Sequence, residues 1–175
     1  NIAAYIAGVS RLGVPGGTMV TLGMLHDIAR TVMTRSLPQP ETGFSVDPRQ
    51  HLKQEIDLYG IDHATLGGIL AQRWGMPPRL VSCIARHHWP MFWPLRDIGQ
   101  SNNDTIKELS ILAVSDIAAK NFTQEITGAY IGDDYYRYIN KPPRMDSILI
   151  PEITKDLKRI RRIMLNTDEE SQDLL

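Results

Sequence analysis

Four stretches of this sequence, GMLHDIAR, GIDHATLGGILAQRWG, IARHHWP and ILAVSDIAAK, each pair a helical apolar pattern with imidazole or carboxylate groups. No other feature limits the fold as strongly, because a polar group on a buried face needs a partner. His26, Asp27, His63, His87, His88 and Asp116 are therefore expected to meet at one point inside a helical protein. Four of the chain's five histidines belong to this set.

The rest of the chain reads as helices joined by turns. NIAAYIAGVSRLGV is a helical apolar pattern, closed by the Gly- and Pro-rich turn from Gly13 to Gly17. Thr18 is placed as the N-cap of a second helix, on which Leu22, Leu25, His26, Ala29 and Met33 share one face. Pro38 and Pro40 end it, and the polar segment from Gln39 to Gln50 reads as an exposed loop. HLKQEIDLYG predicts a short helix closed by Gly60. Asp62 caps the next one, with Leu66, Ile69, Leu70 and Trp74 as its buried stripe. Gly67 and Gly68 lower helix propensity by about 1 kcal/mol each relative to Ala, and are read as letting a neighbouring helix approach closely.

Gly75 is a natural stop, and Pro77 with Pro78 restart the chain as a helical turn. Leu80, Ile84, His87 and His88 then fall on one face. WPMFWPLRDIGQSNN is a broken aromatic loop, read as a lid on the core in preference to a partner surface. Thr105 and Glu108 form a capping-box pattern opening a helix whose inner face is Ile106, Leu109, Leu112, Ala113, Asp116 and Ile117. A further helix is expected over Asp134 to Ile139. The last, from about Glu152, carries Ile153, Leu157, Ile160 and Met164 on one side, and an acidic tail starts at Asp168. The fold class is all-α.

Net charge is −1, so no global field draws the chain to nucleic acid or membrane. No apolar run approaches the ~18–20 residues of a membrane span. The lone Cys83, in the apolar run LVSCIA, excludes an internal disulfide framework, reads as a buried core thiol and fits the cytoplasm. The basic cluster Lys155, Lys158, Arg159, Arg161 and Arg162 is read as a solvated helix face, on a helix that could also meet a homo-oligomer partner through Ile153, Leu157, Ile160 and Met164, rather than as a nucleic-acid surface.

Imidazole nitrogen and carboxylate oxygen are donor types for a divalent metal, and bundles build such sites from facing helices. The plainer reading stands beside this one, since a single histidine on an apolar face is more often a hydrogen-bonded core residue. Asp27 and Asp62 can also serve as caps. Periodicity alone does not decide between the two readings.

GMLHDIARTVM resembles the histidine–aspartate motif of the HD superfamily of metal-dependent phosphohydrolases. Glu55, Gly60 to Gly67, Trp74 to Pro77, and His87 with His88 follow in an order similar to the HDOD family, the HD-related output domains of bacterial signalling proteins. ILAVSDIAAK resembles the helix bearing the superfamily's last metal aspartate. The likeness covers roughly residues 2–122 and implies an HD-like bundle of orthogonally packed helices. It divides the chain into an HDOD-like domain, 1–125, and a C-terminal extension, 126–175.

By that likeness His26, Asp27, His63, His87, His88 and Asp116 match metal ligands for Fe, Mn, Ni, Zn or Mg. Two departures stand out. The superfamily's first ligand histidine would fall ahead of Asn1, which opens in mid-pattern as if part of a longer chain, and the HD pair runs on as HDIAR. The GYP signature of cyclic-di-GMP phosphodiesterases is absent after His88. The expectation is a signalling output module that contacts other signalling proteins or domains. The alternative is a metal-dependent phosphohydrolase acting on a nucleotide or another phosphate ester, with Asp27 bridging or serving as base and Arg30 or Arg86 holding phosphate.

Overall fold

The structure is a computed structural model that describes residues 2–41, 43–98, 103–123, 131–141, 148, 151, 153–159 and 162. Among these residues every regular element is helical. The N-terminal half contains α1 (Ile2–Ser10), α2 (Gly16–Leu25), α3 (Ile28–Ser36), α4 (Pro48–Tyr59), α5 (His63–Arg73) and α6 (Pro78–Ala85). A 3-10 turn at Trp89–Met91 then leads to α7 (Leu95–Ile98), α8 (Asn103–Thr123) and α9 (Asp133–Tyr138), and residues 153–159 are again helical. The predicted positions of Ile160, Arg161 and Met164, and the acidic tail, lie outside the described residues. No helix among the described residues is long and apolar enough to cross a membrane.

The core is organised around α8. Leu109, Ile111, Leu112, Val114, Ile117 and Ala118 are all buried, so apolar side chains surround the helix instead of forming one stripe. It packs against α1, α2, α6 and α9, where Ile6, Met19, Leu22, Ile84 and Tyr135 complete the interior. The described part of the C-terminal extension shares this core: Ile131, Tyr135, Tyr136, Ile139, Ile148 and Ile153 are buried in it. Asn140 Nδ2 also donates to Ser10 O at 2.9 Å.

Several local expectations are met. Asp62 caps α5 by accepting from Thr65 N at 2.8 Å, and Gly60 closes α4 in the left-handed conformation that glycine adopts without strain. Others need correction. Pro15, not Thr18, precedes α2, because its extended backbone already sets the entry to the helix. The helix predicted to run on through Met33 stops at Leu25, and α3 begins at Ile28 after a tightened turn at Asp27 (φ −100°, ψ 12°). Helix α8 starts at Asn103, so Thr105 lies within it, and the Glu108 carboxylate accepts from Arg79 Nη2 at 3.0 Å instead of closing a capping box.

On α5 the buried stripe is Ala64, Gly67, Gly68 and Ala71, while Ile69 and Trp74 are exposed. Small residues win that face because α6 lies directly against it. A Cβ on Gly68 would meet Ala85 Cβ at 2.6 Å, and one on Gly67 would meet Ile84 Cγ2 at 3.0 Å. The aromatic loop is likewise not a lid: Pro90 and Met91 turn inward, whereas Trp89, Phe92 and Trp93 are exposed.

Two measurements follow. Gly68→Ala should lower stability to urea by about 1–3 kcal/mol through overpacking, although Ala is the better helix former. Unchanged stability would mean that α5 and α6 part without cost. Cys83 is fully buried and donates to Glu108 Oε2 at 3.4 Å; burial first, then the Glu108 charge, pushes its pKa above the ordinary thiol range. It should therefore resist a thiol-specific disulfide reagent at pH 8 in the native protein and react on unfolding.

Candidate metal centre

The break between α2 and α3 explains how neighbouring residues reach one site. On a continuous helix His26 and Asp27 would diverge by about 100°. Here His26 ends α2, Asp27 precedes α3, and His26 Nε2 lies 3.7 Å from Asp27 Oδ2. His63 enters as the first residue of α5, whose axis is set by the Asp62 cap. The sequence pattern puts His87 and His88 on one helical face with Leu80 and Ile84, but α6 ends at Ala85 and the two histidines sit just beyond it. Asp116 arrives from α8, one turn before Lys120.

The six predicted residues fall into two adjoining groups. In the inner group Asp27 Oδ1 is 3.3 Å from His63 Nε2 and 3.2 Å from His87 Nε2, and His88 Nε2 is 2.9 Å from His63 Nε2. Ligand atoms of Asp27, His63, His87 and His88 all lie within 4.8 Å of one another. In the outer group His26 Nε2 is 3.6 Å from Asp116 Oδ1 and faces Asp27 Oδ2. His63, His87 and His88 are buried, while the Asp27 side chain is 29% exposed.

The ring protons define what this arrangement can hold. His87 Nδ1 lies 2.7 Å from Ile84 O, and His26 Nδ1 lies 3.2 Å from Leu22 O. A carbonyl only accepts, so each Nδ1 carries a proton and each neutral ring turns a bare Nε2 toward the carboxylates. His63 Nδ1 is 2.7 Å from Glu55 Oε2, which leaves its Nε2 facing inward as well. In the neutral rings of His26 and His87 lone pairs on nitrogen thus face lone pairs on oxygen, while the His63 ring, when protonated, donates from Nε2 toward Asp27 Oδ1. His26 Nε2, Asp27 Oδ1, His87 Nε2 and His88 Nδ1 are buried without a hydrogen-bond partner. A proton, a donating water or a metal cation placed between them would satisfy such a set.

The titration pattern has the same cause. Burial works against a charged His63, but Asp27 and Glu55 outweigh it and raise the group to about 9. Burial likewise opposes charge on Asp27, yet its histidine partners hold the carboxyl well below its ordinary range. His87 and His88 are pushed down, by burial above all and by neighbouring imidazoles.

The donors fit a metal. A tetrahedral ion with bonds of about 2.0–2.1 Å has ligand–ligand edges of about 3.3 Å; two inner separations, 3.2 and 3.3 Å, are close to this, while the set as a whole runs from 2.9 Å to within 4.8 Å. Three imidazoles and one carboxylate suit Zn, Fe or Ni, whereas Mg prefers oxygen alone.

Behind this set is a layer to which the sequence reading gave no role, although it named Glu55 within the HDOD-like order. Glu55 is buried on α4; its Oε2 takes both the ring and the backbone N–H of His63, and His51 Nε2 lies 3.1 Å from its Oε1. Phe44 stacks on His51 at 4.4 Å. The i, i+4 spacing of His51 and Glu55 just before the Asp62-His63 helix start was the available signal. These groups hold Glu55 at about 2, against the burial that would raise it. A carboxylate fixing the tautomer of a ligand histidine is a common support for bound metal.

A cavity of about 480 Å³ reaches the cluster along His63 and His88, with Arg30, Lys120, Phe44 and Tyr59 among its walls. Arg86, the other cation considered for phosphate, is engaged elsewhere, its guanidinium 4.6 Å over the Trp89 ring.

The family model of the HDOD domain matches residues 1–90, just over half of the chain, and the chain belongs to that family. Asp116 lies beyond the matched span, so its place at the site rests on the geometry. No curated protein and no solved structure matches the chain.

Glu55→Ala is expected to weaken zinc binding about 10–100-fold, read by competition with a chromophoric chelator. Affinity equal to wild type would remove Glu55 from the site's support.

Proposed function

We propose that this HDOD chain is a signal-transduction output module, with its helical scaffold fastened by a divalent metal ion and its surface contacting other signalling proteins or domains. The observation that carries the reading is the closure of the inner donor set. Asp27, His63, His87 and His88 supply four protein ligands around one point. Structural metal sites are filled in this way, whereas catalytic ones keep a position for water or substrate. When bound, the ion would supply a fixed positive charge tying together the α2–α3 junction, the start of α5 and the turn after α6.

Surface composition supports the same reading. Trp74 and Trp93 are each 55% exposed and Phe92 46%, and large aromatics of this kind anchor protein contacts.

A second reading, a metal-dependent phosphohydrolase, draws on the cavity beside His63 and His88 with Arg30 and Lys120 on its wall. Two assays on zinc- and manganese-loaded protein separate them. The module reading expects the ion to raise Tm by several degrees over chelator-treated protein. It also expects bis(p-nitrophenyl) phosphate and nucleotides to be left at the blank rate. Metal-dependent turnover that vanishes in Asp27→Asn would overturn it in favour of the hydrolase.

A further inference from the structure

We infer that Lys120 occupies, with its ammonium group, the charge position a second metal ion would take, so that this chain binds one divalent ion and not two. The inference rests on the metal-binding reading above and concerns how many ions the site accepts. Asp27 is placed to bridge: Oδ1 faces His63 and His87, and Oδ2 faces His26. A second ion on the outer side would find His26 Nε2, Asp27 Oδ2 and Asp116 Oδ1, three donors in all.

That side is already supplied with positive charge. Lys120 Nζ lies 2.6 Å from Asp116 Oδ2, and the two side chains are 12% and 10% exposed. Both sit on α8 four residues apart, so the helix itself holds the ammonium beside the carboxylate. Arg30 Nη1 approaches Asp27 Oδ2 from the same side at 3.9 Å. A divalent ion seated on Asp116 Oδ1 would meet the Lys120 charge across a single carboxylate, in an interior that screens it poorly. In the inner group the polar contacts run among Asp27 Oδ1, the imidazoles and the Glu55 carboxylate behind them, and Lys120 stands beside it as a wall of the cavity along His63 and His88.

Full-length protein is stripped with chelator, titrated with Co(II) in a calorimeter, and its ion content checked by elemental analysis and by the visible absorption of four-coordinate cobalt. Wild type should bind one equivalent with the four-coordinate spectrum. Asp116→Asn should keep that equivalent, and His87→Ala should lose it. Lys120→Glu replaces the cation with a fourth donor and should gain a second equivalent, circular dichroism confirming the fold.

Two equivalents in wild type, loss of the single equivalent in Asp116→Asn, or a folded Lys120→Glu that stays at one would each overturn the inference. No cobalt in wild type would instead overturn the metal reading on which it depends.

Discussion

Asp27 Oδ1 stands within 3.3 Å of the Nε2 atoms of His63 and His87, each ring held from behind through its Nδ1, and much of the architecture serves to keep it there. An acceptor facing acceptors in a dry interior is unfavourable unless something positive lies between them. The fold holds the three groups by separate means. Asp27 is fixed by the break between α2 and α3, His63 by the cap and carboxylate at the head of α5, and His87 by a bond to its own helix end. Three separate pieces of local order thus converge on a set of donors that could hold a cation.

The approach of α5 to α6 converts that order into distance. Gly67 and Gly68 bring α6 close enough for Ile84 and Ala85 to touch the α5 backbone region, and the chain then turns directly into His87 and His88. Had larger residues stood at the two glycines, the turn after α6 would lie farther from His63, and the 2.9 Å spacing of the His63 and His88 rings would open. Helix packing and site geometry are therefore the same fact seen at two scales, with the buried α8 as the wall against which both are set.

Much of this was legible in the sequence. Inward histidines on apolar faces and the aspartate on α8 could be placed because helical periodicity states direction without requiring coordinates. Asp62 and Gly60 were readable because caps have local chemistry. What escaped was set by neighbours. Ile69 and Trp74 have the right spacing for a buried stripe, but the smaller residues beside them allow closer contact and take the inner face. Glu108 has capping spacing, yet Arg79 and Cys83 claim its oxygens. The interruption at His26-Asp27 has no glycine or proline to announce it, and His51 with Glu55 reads as an ordinary pair on a helix until His63 is seen beside them. The exposure of Trp89, Phe92 and Trp93 could not be told from composition, since an aromatic loop covers a core or faces outward according to how its prolines turn.

Every inner donor sits at a helix junction and none in the middle of a helix. With an ion in place, three junctions share one pivot, and the helices that leave it behave as levers. Nine residues of α3 extend about 13 Å, so a tilt of about 10° at the pivot moves the far tip by about 2 Å while the ligands barely shift. The Trp74 end of α5 and the Pro78 end of α6 lie on the long arms of the same arrangement. Small angular changes at the centre would then emerge as displacements at the rim.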